Sequence, residues 1–549
     1  MVDLHAKLGD LEKSVGAALH DLHRQAVPER IWQGDFRVWS NSPNEIANRL
    51  GWLDAPGEMS QQLDDLVACA AELQRDGFQQ ALLMGMGGSS LAPEVFQKSF
   101  GTRPGYLDLS ILDSTHPQAI LEFDQRDDPK RRVYIVSTKS GGTVETLSFL
   151  KYFYNRVQRQ FGLKDAGRFF IAITDPASGL ESLARQLNFR RIFLNNPDIG
   201  GRYSALSAFG LIPAALVGVE LKPLLDRALS GLEQTRNPDP NQNPALLLGA
   251  ILGASALAGR DKLTLVCSPA LESFGDWLEQ LIAESTGKDG TGILPVVGEP
   301  IGGPNQYGND RLFVRLALRG DQGFEPELLA LETAGHPVVR IEMDGKYDLG
   351  EQFFLWEMAV AVAGHCLGIQ PFDQPNVEAA KILARELVAD YQKTGRSPED
   401  EAAAIDERRF VEFLSSAMPG DYLALQAYLA PGKDLSAALQ RLRIRLRDRT
   451  RLATTTGYGP RFLHSTGQLH KGDRGNGLFI QFCDRPKVGL VIPDRAGEGF
   501  GGLTFDVLVA AQGVGDLSAL RSARPPRRAI RFVLGADPVA QLDALRESL

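Results

Sequence analysis

Two stretches of this sequence carry residue types and spacings suited to chemistry. "GMGGSS" (Gly85–Ser90) and "STKSGGTVET" (Ser137–Thr146) each end an apolar run in a Gly- and hydroxyl-rich turn and open a helical pattern. Such turns hold anions. Glycines let the backbone N–H groups approach closely, and the following helix offers unpaired N–H donors at its positive end. The first turn is not a dinucleotide fingerprint, because position 90 is Ser where a third Gly or Ala is required. Neither turn carries the GKS or GKT element of a nucleotide loop. Thr138, Ser140 and Thr143 surround two glycines in the second turn, a pattern suited to a phosphate monoester. A capped helix alone explains either turn taken singly. Two of them in one unit favour the phosphate.

The elements that must position these turns alternate between strand and helix. After "MSQQLDDLVACAAELQRDG", a helical stripe ending at Gly77, short apolar runs follow at "FQQALLMG", "YLDLSILDS", "RRVYIVST" and "RFFIAITDP", with helical segments between them. This alternation predicts βαβ units and a parallel sheet. "NPDPNQNP" (Asn237–Pro244) reads as a linker, after which the pattern restarts at "KLTLVCSP", "RLFVRLAL" and "HPVVRIEM". The polar segment Thr394–Glu407 marks a further boundary, followed by helices and the strand-like runs "GLFIQFC", "VGLVIP" and "AIRFVLG". The expected organisation is a helical segment over 1–75, α/β units over 76–240 and 241–400, and a C-terminal α/β region over 401–549.

Composition narrows the function class. The 549 residues include 43% hydrophobic and 23% charged residues with a net charge of −9, which argues against a mainly electrostatic nucleic-acid binder. The basic run "LQRLRIRLRDRTRL" (Leu439–Leu452) recurs at helical spacing and is expected to form a solvated face or a local salt-bridge network. Cys69, Cys267, Cys366 and Cys483 lie in apolar contexts without CxxC spacing and are expected as buried free thiols of a cytoplasmic, reducing compartment. Acidic residues near the start argue against a signal peptide, and no apolar run is long enough to span a membrane.

Four further stretches, in order along the chain, carry a resemblance. "DIGGRYSALSAFGLIPAAL" (Asp198–Leu216), "ESTGKDG" (Glu284–Gly290), "VVGEP" (Val296–Pro300) and "QPFDQPNVEAAK" (Gln370–Lys381) resemble the glucose-6-phosphate isomerase family, whose most specific markers are the GGRYS and PFDQ-x-x-VE-x-x-K segments. The chain is similar above all to the isomerase half of bifunctional transaldolase/glucose-6-phosphate isomerase proteins, in which "GYGPRFLHSTGQLHKG" (Gly457–Gly472) is also characteristic. No transaldolase half is recognised. The resemblance implies two sugar-isomerase-type, flavodoxin-like parallel-sheet domains with flanking helices, plus the C-terminal α/β region. It also implies a homodimer whose active site lies at the subunit interface, a sugar-phosphate substrate, and no cofactor or metal.

Moving a proton between C1 and C2 of an open-chain sugar requires a base held against a barely acidic proton and a positive charge near the enediolate. The resemblance puts Glu299 in the base role and Arg202 in the stabilising role, which its permanent charge suits. Either residue could instead be structural, Glu299 as a loop anchor and Arg202 as a buried ion pair. Lys381 matches the motif lysine that assists ring opening, and Gln374 a contact to phosphate or hydroxyls. Gly88, Ser89, Ser140 and Thr143, with Thr138 more loosely, match the phosphate clamp. Glu145 matches a carboxylate beside the substrate, and Glu378 reads as half of a surface ion pair. The sequence departs from the family after GEP, in the shortened second turn, at Asn376 where Gly is usual, and at the ring-opening histidine. His336 stands at an approximate place for that histidine but outside a matching motif. His365 reads as a core residue, and His464 or His470 could fill the role, because the family takes this histidine from the neighbouring subunit. His464 and His470 are six residues apart, which does not suit a helical metal pair. The leading expectation is cofactor-independent interconversion of glucose 6-phosphate and fructose 6-phosphate. The alternatives are an isomerase of another phosphorylated aldose and a non-catalytic sugar-phosphate-binding regulator. A nucleotide-dependent oxidoreductase is disfavoured.

Overall fold

The computed structural model describes residues 3–126, 128–240, 242–398 and 402–549. The expected boundary at 400/401 and part of each proposed linker therefore lie outside the described residues. The chain begins with a strand, β1 (Asp3–Lys7), which pairs antiparallel with residues 338–342 of the second sheet. This corrects the expectation of helices alone over 1–75. Only Leu4 and Ala6 alternate in "DLHAK", too few apolar residues to signal a strand.

The first sheet contains β2 (Gln80–Gly85), β3 (Asp108–Leu112), β4 (Arg132–Ser137), β5 (Phe170–Thr174) and β6 (Arg191–Leu194). They are parallel, in the order β3-β2-β4-β5-β6. Every residue of β4 and β5 is buried, as expected of strands covered on both faces. The second sheet contains β7 (Lys262–Cys267), β8 (Leu294–Val296), β9 (Arg311–Leu318) and β10 (Val338–Met343), with β1 on its edge.

The C-terminal region is a third parallel sheet rather than an appendage. It holds β11 (Ala403–Ala404), β12 (Tyr422–Tyr428), β13 (Ala453–Tyr458) and β14 (Gly477–Cys483). A small hairpin, β15 (Val491–Ile492) with β16 (Leu503–Thr504), stands apart, and β17 (Arg528–Val533) completes the sheet in the order β11-β17-β14-β12-β13. "VGLVIP" was expected to add a strand here, but only its Val491 and Ile492 are extended, and they pair within the hairpin. Setting aside β11 and β1, all three sheets run second, first, third, fourth. In that order the crevice for a ligand opens at the carboxyl ends of the first and third strands. In the first sheet those ends are Gly85 and Ser137, so both Gly-rich turns flank that crevice.

The first two domains share one core. The helix Leu349–Leu367 is buried over nearly its whole length, and its Phe353 meets Trp277 edge-on at 4.7 Å between ring centres. The third sheet has its own apolar cluster. It joins the second domain through buried charge. In the helix Lys433–Thr450, which carries the arginine run, Arg443 and Arg447 are buried instead of solvated. Arg443 donates from Nε and Nη2 to the Thr454 carbonyl, and from Nη1 to the Val297 carbonyl at 2.8 Å.

Glu299 belongs to this border. Its side chain is 0% exposed, and its carboxylate accepts from Arg311 Nη1 at 3.2 Å and from Thr454 Oγ1 at 2.8 Å. Burial alone pushes its carboxyl up, but the neighbouring Arg311 and Arg443 charges hold it below the usual 4.5. Glu299 thus joins β9 to β13 and has no open face toward a substrate, contrary to its expected placement as the base. A buried pair that loses one partner leaves an uncompensated charge behind, at about 3–5 kcal/mol. Glu299→Gln should therefore lower unfolding free energy by roughly that amount at neutral pH, measured by denaturant titration. Because the folded-state value lies below the unfolded one, the pair adds stability above about pH 4.5 and loses it as pH falls through the folded value. The gap between variant and parent should shrink over that acid range. A gap that is small at neutral pH, or flat with pH, would show that the pair does not carry this border.

Candidate active site

The turn after β2 is built by close backbone approach. A Cβ on Gly88 would lie 1.9 Å from the carbonyl oxygen of Gly201, so only glycine fits against the GGRYS turn. Gly87 has φ +56°, and a Cβ there would meet Gln280 Nε2 at 2.8 Å and the His464 carbonyl oxygen at 2.9 Å. This turn therefore touches all three domains. Ser89 follows, and its carbonyl accepts from Ser137 Oγ at 3.1 Å, which ties it to the second turn.

The second turn leads into the helix Val144–Phe161. Thr138 Oγ1 and Thr143 Oγ1 lie 2.9 Å apart. Ser140 is exposed at the rim, and its Oγ accepts from the Gly142 N–H at 3.2 Å. Lys139 turns away to pair with Asp175 and the Pro197 carbonyl. In the helix's first turn, Glu145 is buried. Its Oε1 lies 3.1 Å from His464 Nε2 and accepts from Gln512 Nε2 at 2.7 Å. Burial pushes the Glu145 carboxyl up, but the His464 charge and hydrogen bond outweigh it and hold the group below its ordinary value.

A cavity of about 380 Å³ opens beside this pair. It is lined by Ser140 and Thr143 from the second turn, Glu145, Lys381 from the helix Val377–Thr394, and His464, Lys471 and Gln512 from the third domain. Lys471 is anchored by Asp516 at 2.6 Å. Glu378 pairs with Arg385 on the exposed face of the same helix as Lys381.

Across Gly87 and Gly88 lies a second charged group. Arg202 is buried and donates to Ser285 Oγ at 2.8 Å, Gln374 Oε1 at 3.0 Å, and the carbonyls of Pro371 at 2.6 Å and Asp373 at 3.0 Å. Its Nη1 also faces Glu284 Oε1 at 3.4 Å. Glu284 accepts from Gln280 Nε2 at 3.0 Å, and its side chain keeps 13% exposure. Lys288 is buried against Asp373, and burial with the Arg202 charge brings its ammonium down to about 8. Glu284 and Lys288 were not singled out as site residues from the sequence, although both lie in the quoted "ESTGKDG". The glutamate four residues past Gln280, one turn along the helix Glu272–Thr286, was the available signal.

Most of the expected site residues thus come together in two linked groups: Gly88, Ser89, Thr138, Ser140, Thr143, Glu145 and Lys381 in one, Arg202 and Gln374 in the other. Glu299 and His336 do not. His336 is buried at the start of β10, edge-on to the Phe313 ring at 5.6 Å, and burial holds its imidazole below the usual 6.5. His365 binds the Val38 carbonyl at 2.6 Å. His470 is a core residue lying parallel to Tyr422 and edge-on to Phe479, and burial drives its imidazole well below its ordinary value. Of these four histidines, His464 is the one that lines the cavity. Among the described residues, no group of three or more His, Cys, Asp or Glu side chains is arranged to hold a metal ion, and no helix is long and apolar enough to cross a membrane.

Known proteins resemble this chain in sequence and fold. A family model described as phosphoglucose isomerase matches residues 74–297. A glucose-6-phosphate isomerase of Staphylococcus saprophyticus is 28% identical over 407 residues, 65% of this chain and 90% of its own length. One of Symbiobacterium thermophilum is 29% identical over 417 residues, 67% of this chain and 92% of its own. The solved structure of a hypothetical protein from Thermus thermophilus superposes with a TM-score of 0.60 at 24% identity, covering 70% of this chain and 99% of that one. A glucose-6-phosphate isomerase structure from Chlamydia trachomatis gives 0.59 at 19% identity, covering 74% and 89%. The two hydroxyl-rich turns, the GGRYS turn and the PFDQ segment assemble around Gly87 and Gly88, and over residues 74–297 the chain is similar to the phosphoglucose isomerase family.

Proposed function

We propose that the protein interconverts glucose 6-phosphate and fructose 6-phosphate by ring opening and proton transfer through a cis-enediolate. The observation that carries this reading is the meeting, at Gly87 and Gly88, of a hydroxyl-rich anion turn, a Glu145–His464 pair and an Arg202–Glu284 pair. The names of the relatives support the substrate. Its four free cysteines suit the reducing cytoplasm.

The phosphate sits on Ser140, Thr143 and the N–H groups opening the helix Val144–Phe161, with Ser89 and Gln374 nearby. His464, held by Glu145, and Lys381 exchange protons with the ring oxygen and the anomeric hydroxyl, which opens the ring. Glu284 replaces Glu299 as the base. It is partly exposed and faces a fixed cation, whereas Glu299 is sealed at a domain border. Glu284 takes the C2 proton and returns it to C1, while the O2 hydroxyl proton passes to O1 as the enediolate forms and collapses. Arg202 stabilises the negative charge that develops on the substrate oxygens.

Turnover is read by mixing the protein with fructose 6-phosphate and a dehydrogenase specific for glucose 6-phosphate; no turnover by the parent protein refutes the reading. Glu284→Gln should lower kcat about 10²–10⁴-fold, the range for loss of a positioned base. Near-parental activity in that variant would remove Glu284 from the role. Ser140→Ala should raise KM about tenfold or more, as expected for one hydrogen bond to a charged phosphate, with kcat held. His464→Ala should slow the ring-closed sugar about 10²-fold and spare a four-carbon aldose phosphate that cannot close a ring. Equal loss on both substrates would refute a ring-opening role.

A further inference from the structure

The group facing Glu145 comes from the third domain, 319 residues further along the chain. The Thermus structure is matched over 99% of its own length but covers 70% of this chain, so the remainder of this chain has no counterpart in it. His464 and Gln512, the two partners of Glu145, both lie far beyond the end of the family match at residue 297.

The third domain is fixed onto this place by partly buried charge. Arg461 stands three residues before His464, at the start of the short turn Arg461–His464. Its Nη1 binds Asp113 Oδ2 at 2.7 Å, its Nη2 binds Glu94, and Asp276 stands 3.9 Å away. Glu94 and Asp113 belong to the first domain, and Asp276 to the second. One guanidinium thus joins all three domains next to the histidine. Two further contacts set the register. Thr115 Oγ1 donates to Gln512 Oε1 at 2.6 Å, and Gln468 Nε2 donates to the Gly287 carbonyl at 2.9 Å. His464 also fills the space over Gly87, where even a Cβ would collide with its carbonyl oxygen.

We propose that the third domain takes the place of a second subunit: one chain holds the complete active site, and the Arg461 clamp positions His464 on Glu145. The proposal rests on the isomerase reading for its activity tests and on geometry alone for its cross-linking test. Any dimer that forms is not needed to complete the site.

Co-expression of two defective chains, Glu284→Gln and His464→Ala, tests it. A site made within one chain gives no recovery in the mixture. A site shared between chains restores roughly a quarter of parental activity, the statistical share of intact sites in random pairs, and this would overturn the proposal. Arg461→Met should lower kcat on the ring-closed sugar about 10- to 100-fold, the scale of a misplaced catalytic group, and spare the four-carbon substrate. Arg461→Lys should recover part of that loss. An equal loss on both substrates would reduce Arg461 to a purely structural role and overturn the clamp. The double variant Glu145→Cys, His464→Cys gives a readout independent of turnover. It is oxidised in an equal mixture of light- and heavy-nitrogen chains and digested. Cross-linked peptides of a single isotope are expected, and mixed-isotope pairs would overturn the proposal even if no substrate turns over.

Discussion

Gly88 packs against the carbonyl oxygen of Gly201 so closely that no side chain can stand between them. That contact sets the separation between the crevice of the first sheet and the turn that carries Arg202. Gly87 extends the same constraint to Gln280 in the second domain and His464 in the third. The reactive groups come from every part of the chain, and close backbone approach at Gly87 and Gly88 helps fix their mutual distances. A site made this way costs little reorganisation when substrate binds. It also has little tolerance. Any Cβ at Gly88 must displace a backbone carbonyl, a much stiffer neighbour than a side chain.

The borders between domains are held by ionised groups rather than by apolar surface alone. Arg443 with the Val297 carbonyl, Glu299 with Thr454, and Arg461 with Asp113 and Glu94 all cross such borders. Buried ion pairs add little net stability, because desolvation offsets most of their attraction, but a mismatched arrangement is strongly penalised. Here they act as register marks. The apolar clusters supply the bulk of the stability, and the charges allow one seating of the third domain on the other two. The burial of Asp276 and Glu279 fits this view. Desolvation, with the neighbouring carboxylates Glu94 and Asp113 beside Asp276 and with Asp276 beside Glu279, raises their carboxyls to about 6 and about 7 respectively, against the opposing pull of Arg461 and Ser465.

The local patterns of the sequence were legible where one element contained the whole signal. Both anion turns, the strands leading into them and the helices leading out were readable because strand, turn and helix cue follow one another within a short span. The resemblance pointed to Arg202 and Gln374, which the structure sets 3.0 Å apart, and to Lys381, which lines the cavity. Glu299 failed for a long-range reason: its partners Arg311 and Thr454 are 12 and 155 residues away, and no local pattern shows that a loop glutamate is sealed by them. His336 failed in the same way, since the Phe313 ring that encloses it is on the neighbouring strand. The third sheet was read as helices with strand-like runs because "YLALQAY" and "ATTTGY" carry small and polar residues where a buried strand usually shows Val and Ile. Their burial comes from the domains packed around them.

The charge on Arg202 shows what the assembled site can do despite a chain that is acidic overall. A guanidinium has five N–H donors. Those of Arg202 are directed at Ser285, Gln374 and two backbone carbonyls, all neutral acceptors. Such acceptors hold the ion without cancelling its charge. Glu284, at 3.4 Å, is the one carboxylate paired with it. Nearby Lys288 is pulled down to about 8 partly because it sits in the same positive field. Arg202 therefore acts less as a hydrogen-bond partner that must reorient than as a fixed charge already in place. In the proposed reaction, when the C2 proton moves onto Glu284, that carboxylate becomes neutral and the substrate becomes the anion. The field of Arg202 then acts on the enediolate instead, without any donor having to move. Stabilisation that grows as charge passes from protein to substrate is the kind that speeds the chemical step rather than merely tightening binding.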